Sequence, residues 1–269
     1  MTATTPVKHW LRFAADGTEY IGTLVGDTLD GATVTAWQGD LFADPQPTDR
    51  RFPLDAVRVL PPCRPGKLIG LWNNFHERAA KEGLQRPMHP PYFIKGANCY
   101  AAHGDTIRRP VGYAGMVVFE AELGIVIGRR TTAASVADAP AAIFGYTCVN
   151  DVTARDLLRL DPAFQHWTRA KSFDSFGVFG PVIAAGLDST IAANLRVRAL
   201  VNGEEHQNYP VSDMFFSPAE IVSHLSHDMT LEPGDVIACG TSVGAGPLQA
   251  GDTVEVAIDG IGRLANPFE

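Results

Sequence analysis

The sequence predicts a mostly β protein of the α+β class with few helices. Three observations carry this. The 269 residues include 26 Gly and 19 Pro, a turn-rich composition. Residues 8–60 alternate short apolar runs with turn dipeptides (LRF, Ala15-Asp16-Gly17, YIGTLV, Gly26-Asp27), the pattern of β-hairpins. One turn-into-strand device recurs, as Gly104-Asp105-Thr106-Ile107, Gly234-Asp235-Val236-Ile237 and Gly251-Asp252-Thr253-Val254. In each copy the aspartate is expected to bond its own backbone.

The hairpins of residues 1–62 read as a small N-terminal β unit, and residues 63–269 as the main domain. The stiff segment Pro61-Pro62-Cys63-Arg64-Pro65-Gly66 can host no regular element and marks the boundary. Lys67–Leu71 is a short strand. Asn74-Phe75-His76-Glu77 then fits a helix start, with Asn74 as N-cap and Glu77 as the returning acid of a capping box, and Gly83 ends the helix. Arg86–Pro91 is a proline-rich loop, and Tyr92–Lys95 resumes an extended run. Met116–Ile127 reads as one buried strand and Ser135–Ala142 as a short helix. Ile143–Val149 is a second buried strand with Asn150-Asp151 at its end, and Thr153–Leu160 looks helical. Leu195–Val201 alternates as a strand into the Asn202-Gly203 turn. Ser217-Pro218-Ala219-Glu220 opens the clearest helix, with a Ser N-cap, Pro at N1 and Glu at N3. The chain then returns to β structure.

The formal charge of −8 and a pI near 5.5 argue against nucleic acid or an anionic membrane as partner. The four cysteines, Cys63, Cys99, Cys148 and Cys239, form no CxxC pair and read as reduced core thiols. The N-terminus has no apolar signal region, and no run is long enough to span a bilayer. The expectation is a soluble cytoplasmic protein.

Chemistry concentrates in Phe119-Glu120-Ala121-Glu122-Leu123. Side chains alternate faces along a strand, so Glu120 and Glu122 share one, about 7 Å apart at the backbone. Two carboxylates on an apolar strand repel each other and lose hydration. Two readings are open: a hard cation relieves both problems, or the face is solvated or neutralised by Arg129 and Arg130. Asp151, at the end of the next strand, makes a third acid. Three carboxylates suit Mg²⁺, Mn²⁺ or Ca²⁺, and no His/Cys cluster points to zinc.

Four stretches in order, FEAELGIVIG (119–128), NDVTARD (150–156), WTRAKSFDSFGVFGP (167–181) and GDVIACGTSVGAGPLQAGDTVEVAIDGIGRLANP (234–267), resemble the fumarylacetoacetate hydrolase family over roughly residues 60–269. The resemblance implies a mixed β-sandwich roll with few helices, a homodimer, and Glu120, Glu122 and Asp151 as ligands of Mg²⁺ or Mn²⁺. It implies that Lys171 faces the substrate beside the metal and that Thr241 lies near the substrate carboxylate. Arg155 matches a motif arginine whose alternative is a salt bridge to Asp156. His76 aligns with the family histidine, which makes it a candidate general base. Glu77 and Lys95 join the candidates, Glu77 as a catalytic acid or a plain helix cap. Lys95, with Arg86 and His89, is a candidate for recognising a second carboxylate at the cleft entrance.

The implied chemistry passes through the enolate of a small 2-oxo acid. Hydrolysis of a C–C bond in an acylpyruvate-type 2,4-dioxo acid leads. Isomerisation or decarboxylation of a 2-oxo or 2-hydroxy-diene diacid of aromatic degradation is the alternative, and a catalytically silent metal-binding β domain the further one. Departures bear on the choice. The family's hydrolases often carry a glutamate three residues after the histidine, and position 79 here is alanine, leaving Glu77 or Glu82 as substitutes. Trp72-Asn73 replaces Asn-Tyr, and Ser242 replaces a proline.

Overall fold

In the computed structural model, which describes residues 7–26, 31–187 and 192–269, the chain is mostly β. Asp27 of the Gly26-Asp27 turn and residues 1–6 of the segment read for a leader lie outside these residues. The main sheet runs, in spatial order, through Gln46–Pro53, Thr33–Gln38, Thr18–Val25, Lys8–Ala15, Gly177–Ala185, Ile143–Asp151, Ala121–Ile127, Val236–Ala238, Leu68–Leu71 and Tyr92–Lys95. The N-terminal hairpins therefore continue the central sheet, joined where Lys8 pairs with Ala185 and Trp10 with Ile183.

A four-stranded sheet packs against it, in the order Glu204–Pro210, Arg196–Val201, Thr253–Ile258, Gly262–Pro267. One apolar cluster joins Leu123, Ile125 and Ile127 of the main sheet to Val197 and Ala199 of the second sheet and to Ile221 and Leu225 of a helix. Val126, on the opposite face of the same strand, packs with Leu68, Val149 and Phe179 in a second cluster. Burial on both faces explains why this strand reads as a continuous apolar run rather than an alternating one.

Three helices matter to the site: α1 (His76–Glu82), α2 (Trp167–Lys171) and α3 (Pro218–Asp228). α3 starts as expected, with Ser217 accepting from Glu220 N and Glu220 Oε2 accepting from Ser217 N at 2.7 Å. The recurring aspartates also behave as expected. Asp105, Asp235 and Asp252 each accept from a backbone N–H three residues earlier. All four cysteines are buried free thiols. No helix among the described residues is long and apolar enough to cross a membrane.

Four local expectations are corrected. Met116–Ile127 is not one strand. Val117–Phe119 belongs to a small separate sheet with Thr153–Ala154 and Gly246–Pro247, and the ladder breaks at Glu120, whose N–H goes to Asn150 Oδ1 at 3.1 Å. α1 has no Asn74–Glu77 capping box. Asn74 turns inward to Cys239 O and Phe216 N, and Asp213 Oδ2 accepts from Glu77 N at 3.0 Å instead. Gly83 does close the helix, with φ 67°. Thr153–Leu160 is a two-residue strand followed by a 3₁₀ turn at Arg155–Arg159. Within Ser135–Ala142 only Ala139–Ala142 is helical, again as 3₁₀.

Candidate active site

The antiparallel register builds the acidic cluster. Ala121 pairs with Asn150 and Glu122 with Val149, so Glu120 stands opposite Asp151. Glu122 and Asp151 are thereby on one face of neighbouring strands, and the break at Glu120 lets its carboxylate join them. One oxygen from each of Glu120, Glu122 and Asp151 lies within 4.8 Å of the others, and all three residues are buried.

Two ammonium groups meet these carboxylates. Lys171, at the end of α2, donates to Glu120 and Asp151 and lies over the Phe93 ring at 4.9 Å. Lys95, at the sheet edge, donates to the other oxygen of Asp151 and, at 3.3 Å, to Val152 O. This corrects the placement of Lys95 at the cleft entrance, since it is fully buried behind Asp151. Its position follows from strand alternation: Phe93 and Lys95 face inward while Tyr92 and Ile94 are exposed. Arg129 and Arg130 do not reach the acids, and Arg130 pairs with Glu232 at 3.5 Å.

Burial and charge divide the carboxylates. Burial pushes Glu120 up, but Lys171, Arg78 and the hydroxyl of Thr153 outweigh it and hold the group at about 2. Glu122 is pushed well above the usual carboxylate range by burial and by Asp151 and Glu120. Burial opposes the charge on Lys171, and Asp151, Glu120 and Glu122 overcome it and raise its affinity for a proton. Glu122 is anchored by Gly240 N, which donates to its Oε2 at 2.7 Å. Gly240 sits at φ 89°, and a Cβ there would come within 3.3 Å of Asn74 Cβ, so glycine suits this close approach.

Three hard oxygen donors with no histidine or cysteine among them fit Mg²⁺ or Mn²⁺. Such an ion would compete with the Lys171 ammonium for the oxygens of Glu120 and Asp151.

The remaining candidates are spread around this core. Thr241 is buried, its Oγ1 accepting from Gln207 Nε2 at 2.9 Å, and Gln207 Oε1 accepts from Ala121 N at 3.0 Å. Gln207 and Tyr209, which donates to Ala121 O, are second-sheet residues that tie that sheet to the acidic strand. Sequence reading missed both, because only the packing of the two sheets brings them there. His76 is exposed and lies on Phe215, ring centroids 4.1 Å apart. Glu77 is exposed, and position 79 is a buried alanine. Glu82 is held by Arg78 Nε at 2.9 Å. No direct contact among the described residues joins His76, Glu77 or Glu82 to the acidic cluster. Arg86 donates to Phe215 O at 3.1 Å and His89 packs on His224.

Arg78 was not singled out by sequence. From α1 it reaches Glu120 Oε1 at 3.3 Å. Arg155 lines the same cleft and does not pair with Asp156, which accepts from Met116 N at 2.9 Å. A cavity of about 720 Å³ lies elsewhere, among the N-terminal strands beside Trp37 and Arg64.

Residues 67–269 match the family described as fumarylacetoacetate (FAA) hydrolase C-terminal, and residues 8–62 match Rv2993c-like, N-terminal. Protein Rv2993c of Mycobacterium tuberculosis is 40% identical over 84% of each chain. Oxaloacetate tautomerase YisK of Bacillus subtilis is 36% identical over 80% of this chain and 74% of its own. The crystal structure of 2-hydroxyhepta-2,4-diene-1,7-dioate isomerase from Mycobacterium marinum superposes with a TM-score of 0.88 at 36% identity, covering 97% of this chain and 98% of that one. The chain belongs to the fumarylacetoacetate hydrolase family, a family of enzymes that includes hydrolases, isomerases and decarboxylases.

Proposed function

We propose that this protein catalyses metal-dependent proton migration in a small 2-oxo or 2-hydroxy-diene acid, acting as a tautomerase or isomerase rather than a C–C hydrolase. The observation that carries this reading is the state of α1. Hydrolysis needs a group that activates water. On α1, His76 rests on Phe215 with no carboxylate partner among the described residues, the position three residues later is Ala79, and Glu82 is occupied by Arg78. Moving a proton along a conjugated chain needs no attacking water. YisK and the M. marinum isomerase, each 36% identical, support the same choice.

A bound Mg²⁺ or Mn²⁺, held by Glu120, Glu122 and Asp151, would supply Lewis-acid polarisation of the substrate's 2-oxo group. The chain's own groups do the rest. Lys171 carries a proton at Nζ beside the cluster and exchanges it with the substrate as charge develops there. Lys95 holds Asp151 in place from behind. Thr241, oriented by Gln207, offers its hydroxyl to the substrate carboxylate. The buried setting keeps water away from the enolate, which suppresses side reactions.

The test is product-resolved NMR with 2-hydroxyhepta-2,4-diene-1,7-dioate and with acetylpyruvate, each with Mg²⁺ and with EDTA. Double-bond migration in the diene diacid, lost in EDTA, with acetylpyruvate intact, is the expected result. Release of pyruvate and acetate from acetylpyruvate would restore the hydrolase reading.

A further inference from the structure

We infer that the cavity at the junction of the N-terminal strands and the main domain is a second binding site, for a small aromatic anion, with Trp37 supplying the ring contact and Arg12 and Arg64 the charge. The cavity holds about 720 Å³, within the ~300–1,000 Å³ of small-molecule sites. Its walls come from the first four strands, the turn at 39–42, the boundary segment at Cys63-Arg64 and Pro233. They share no residue with the acidic cluster or with the cleft beside Glu120.

Sheet register builds the floor. Arg12 pairs with Ile21 and Ile21 with Trp37, so the three side chains stand side by side on one face of neighbouring strands. Trp37 is half-buried, and its Nε1 donates to Thr23 Oγ1 at 2.9 Å. Its one polar atom is thereby satisfied, and the indole surface left open to the cavity is apolar. Phe42 adds a second half-buried ring. Ring surface beside guanidinium groups suits a flat, unsaturated ligand, because both stack on such a ring.

The charge is arranged for an anion. The chain carries a formal charge of −8, yet Arg12, Arg50 and Arg64 line this cavity against Glu19 and Asp40. Lys8 adds a further cation, over the Trp37 indole at 5.2 Å. Asp40 serves its own turn, its Oδ1 accepting from Phe42 N at 2.8 Å. Arg50 donates to the Tyr20 hydroxyl at 2.6 Å and forms no ion pair among the described residues. Glu19 Oε2 accepts from Arg12 Nη2 at 2.6 Å and from Arg64 Nη2 at 2.5 Å. Two guanidinium groups converging on one oxygen form an oxyanion point, filled here by the chain's own carboxylate. The Glu19 side chain is 49% exposed, so a ligand's oxygen can take its place. Arg64 uses only Nη2 on Glu19, and its remaining donors make no hydrogen bond among the described residues. They are free to pair with a carboxylate or phosphate group.

The experiment follows the indole N–H signals of the four tryptophans in ¹H–¹⁵N NMR spectra of the Mg²⁺-loaded protein at rising benzoate, with Trp37→Phe assigning the Trp37 signal. Trp72 and Trp167, which pack on each other and on Phe93 beside Lys171, report the catalytic cleft. Benzoate is expected to move the Trp37 signal saturably and to leave those of Trp72 and Trp167 in place. Benzamide, which lacks the charge, should bind about tenfold more weakly. Cyclohexanecarboxylate, which lacks the flat ring, should bind about threefold more weakly. Arg64→Gln, at a side chain 73% exposed, should raise the Kd for benzoate about tenfold. Glu19→Gln, which removes the competing carboxylate, should lower it. An ion-pair trio that only supports the fold would move the Kd in the same direction in both variants, and that result would overturn the site. So would the absence of a saturable Trp37 shift at millimolar benzoate, shifts confined to Trp72 and Trp167, equal binding of benzamide or of cyclohexanecarboxylate, or an unchanged Kd in Arg64→Gln. Phenyl phosphate, titrated in parallel, identifies the anion: tighter binding than benzoate makes it a phosphate ester, and weaker binding a carboxylate.

Discussion

Lys95 donates from the edge strand of the main sheet to Asp151, and both side chains are shut off from solvent. A buried charge left without its partner is strongly destabilising. Lys95→Met keeps the volume and removes the charge. In EDTA its unfolding free energy should fall by roughly 3 kcal/mol, read from urea denaturation at pH 7. A loss below about 1 kcal/mol would mean that Lys171 alone satisfies Asp151.

Glu122 differs from Glu120: burial, Asp151 and Glu120 push its carboxyl well above the usual carboxylate range. The folded value lies above the ordinary 4.5, so the stability linked to this proton is complete below pH 4.5 and is lost as pH rises toward the folded value. Glu122→Gln is neutral at every pH and escapes the loss. In EDTA its stability relative to wild type should therefore grow between pH 5 and pH 8. A gap that shrinks over that range would show that Glu122 is ionised in the metal-free fold. Mg²⁺ binding to wild type should also release protons, visible as a dependence of the binding heat on buffer ionisation enthalpy.

His76→Ala separates the two reactions. With its ring on Phe215 and no carboxylate partner among the described residues, His76 should matter little to proton migration: a drop in kcat of less than about tenfold, against the roughly 10²–10⁴-fold that a general base contributes. A larger drop with KM unchanged would return His76 to the chemistry.

The capping box of α3 gives a local control. Ser217→Ala removes the side chain that accepts from Glu220 N, and the expected loss is about 1 kcal/mol of stability. The diene isomerisation rate should be unaffected. An effect on that rate would show that α3 couples to the cleft.

The sequence made most of the architecture legible, for reasons tied to particular residues. The hairpins, Gly83, the Ser217 box and the three turn aspartates rest on local chemistry, and local chemistry is what a sequence displays. Glu122 and Asp151 share a face, as alternation and antiparallel pairing require, and Glu120 meets them at the break in the ladder, which its spacing did not show. What was hidden depends on contacts made far along the chain. Asn74 looked like a helix cap, yet it serves Cys239 and Phe216, more than a hundred residues away. Asp213 caps α1 across a similar distance. Lys95 looked like a rim residue until the pairing of Leu68 with Lys95 fixed which way it faces. Arg78, Gln207 and Tyr209 carry no local signature, and each is defined only by what packs against it.

The most direct test of the central claim is deuterium exchange at C3 of oxaloacetate, followed by ¹H NMR in D₂O, for wild type and Glu122→Gln, each with Mg²⁺ and with EDTA. The account expects exchange well above the uncatalysed rate only in wild type with Mg²⁺, while the variant stays folded. Equal exchange in Glu122→Gln, or exchange in wild type that survives EDTA, would contradict a reaction centred on Glu120, Glu122 and Asp151.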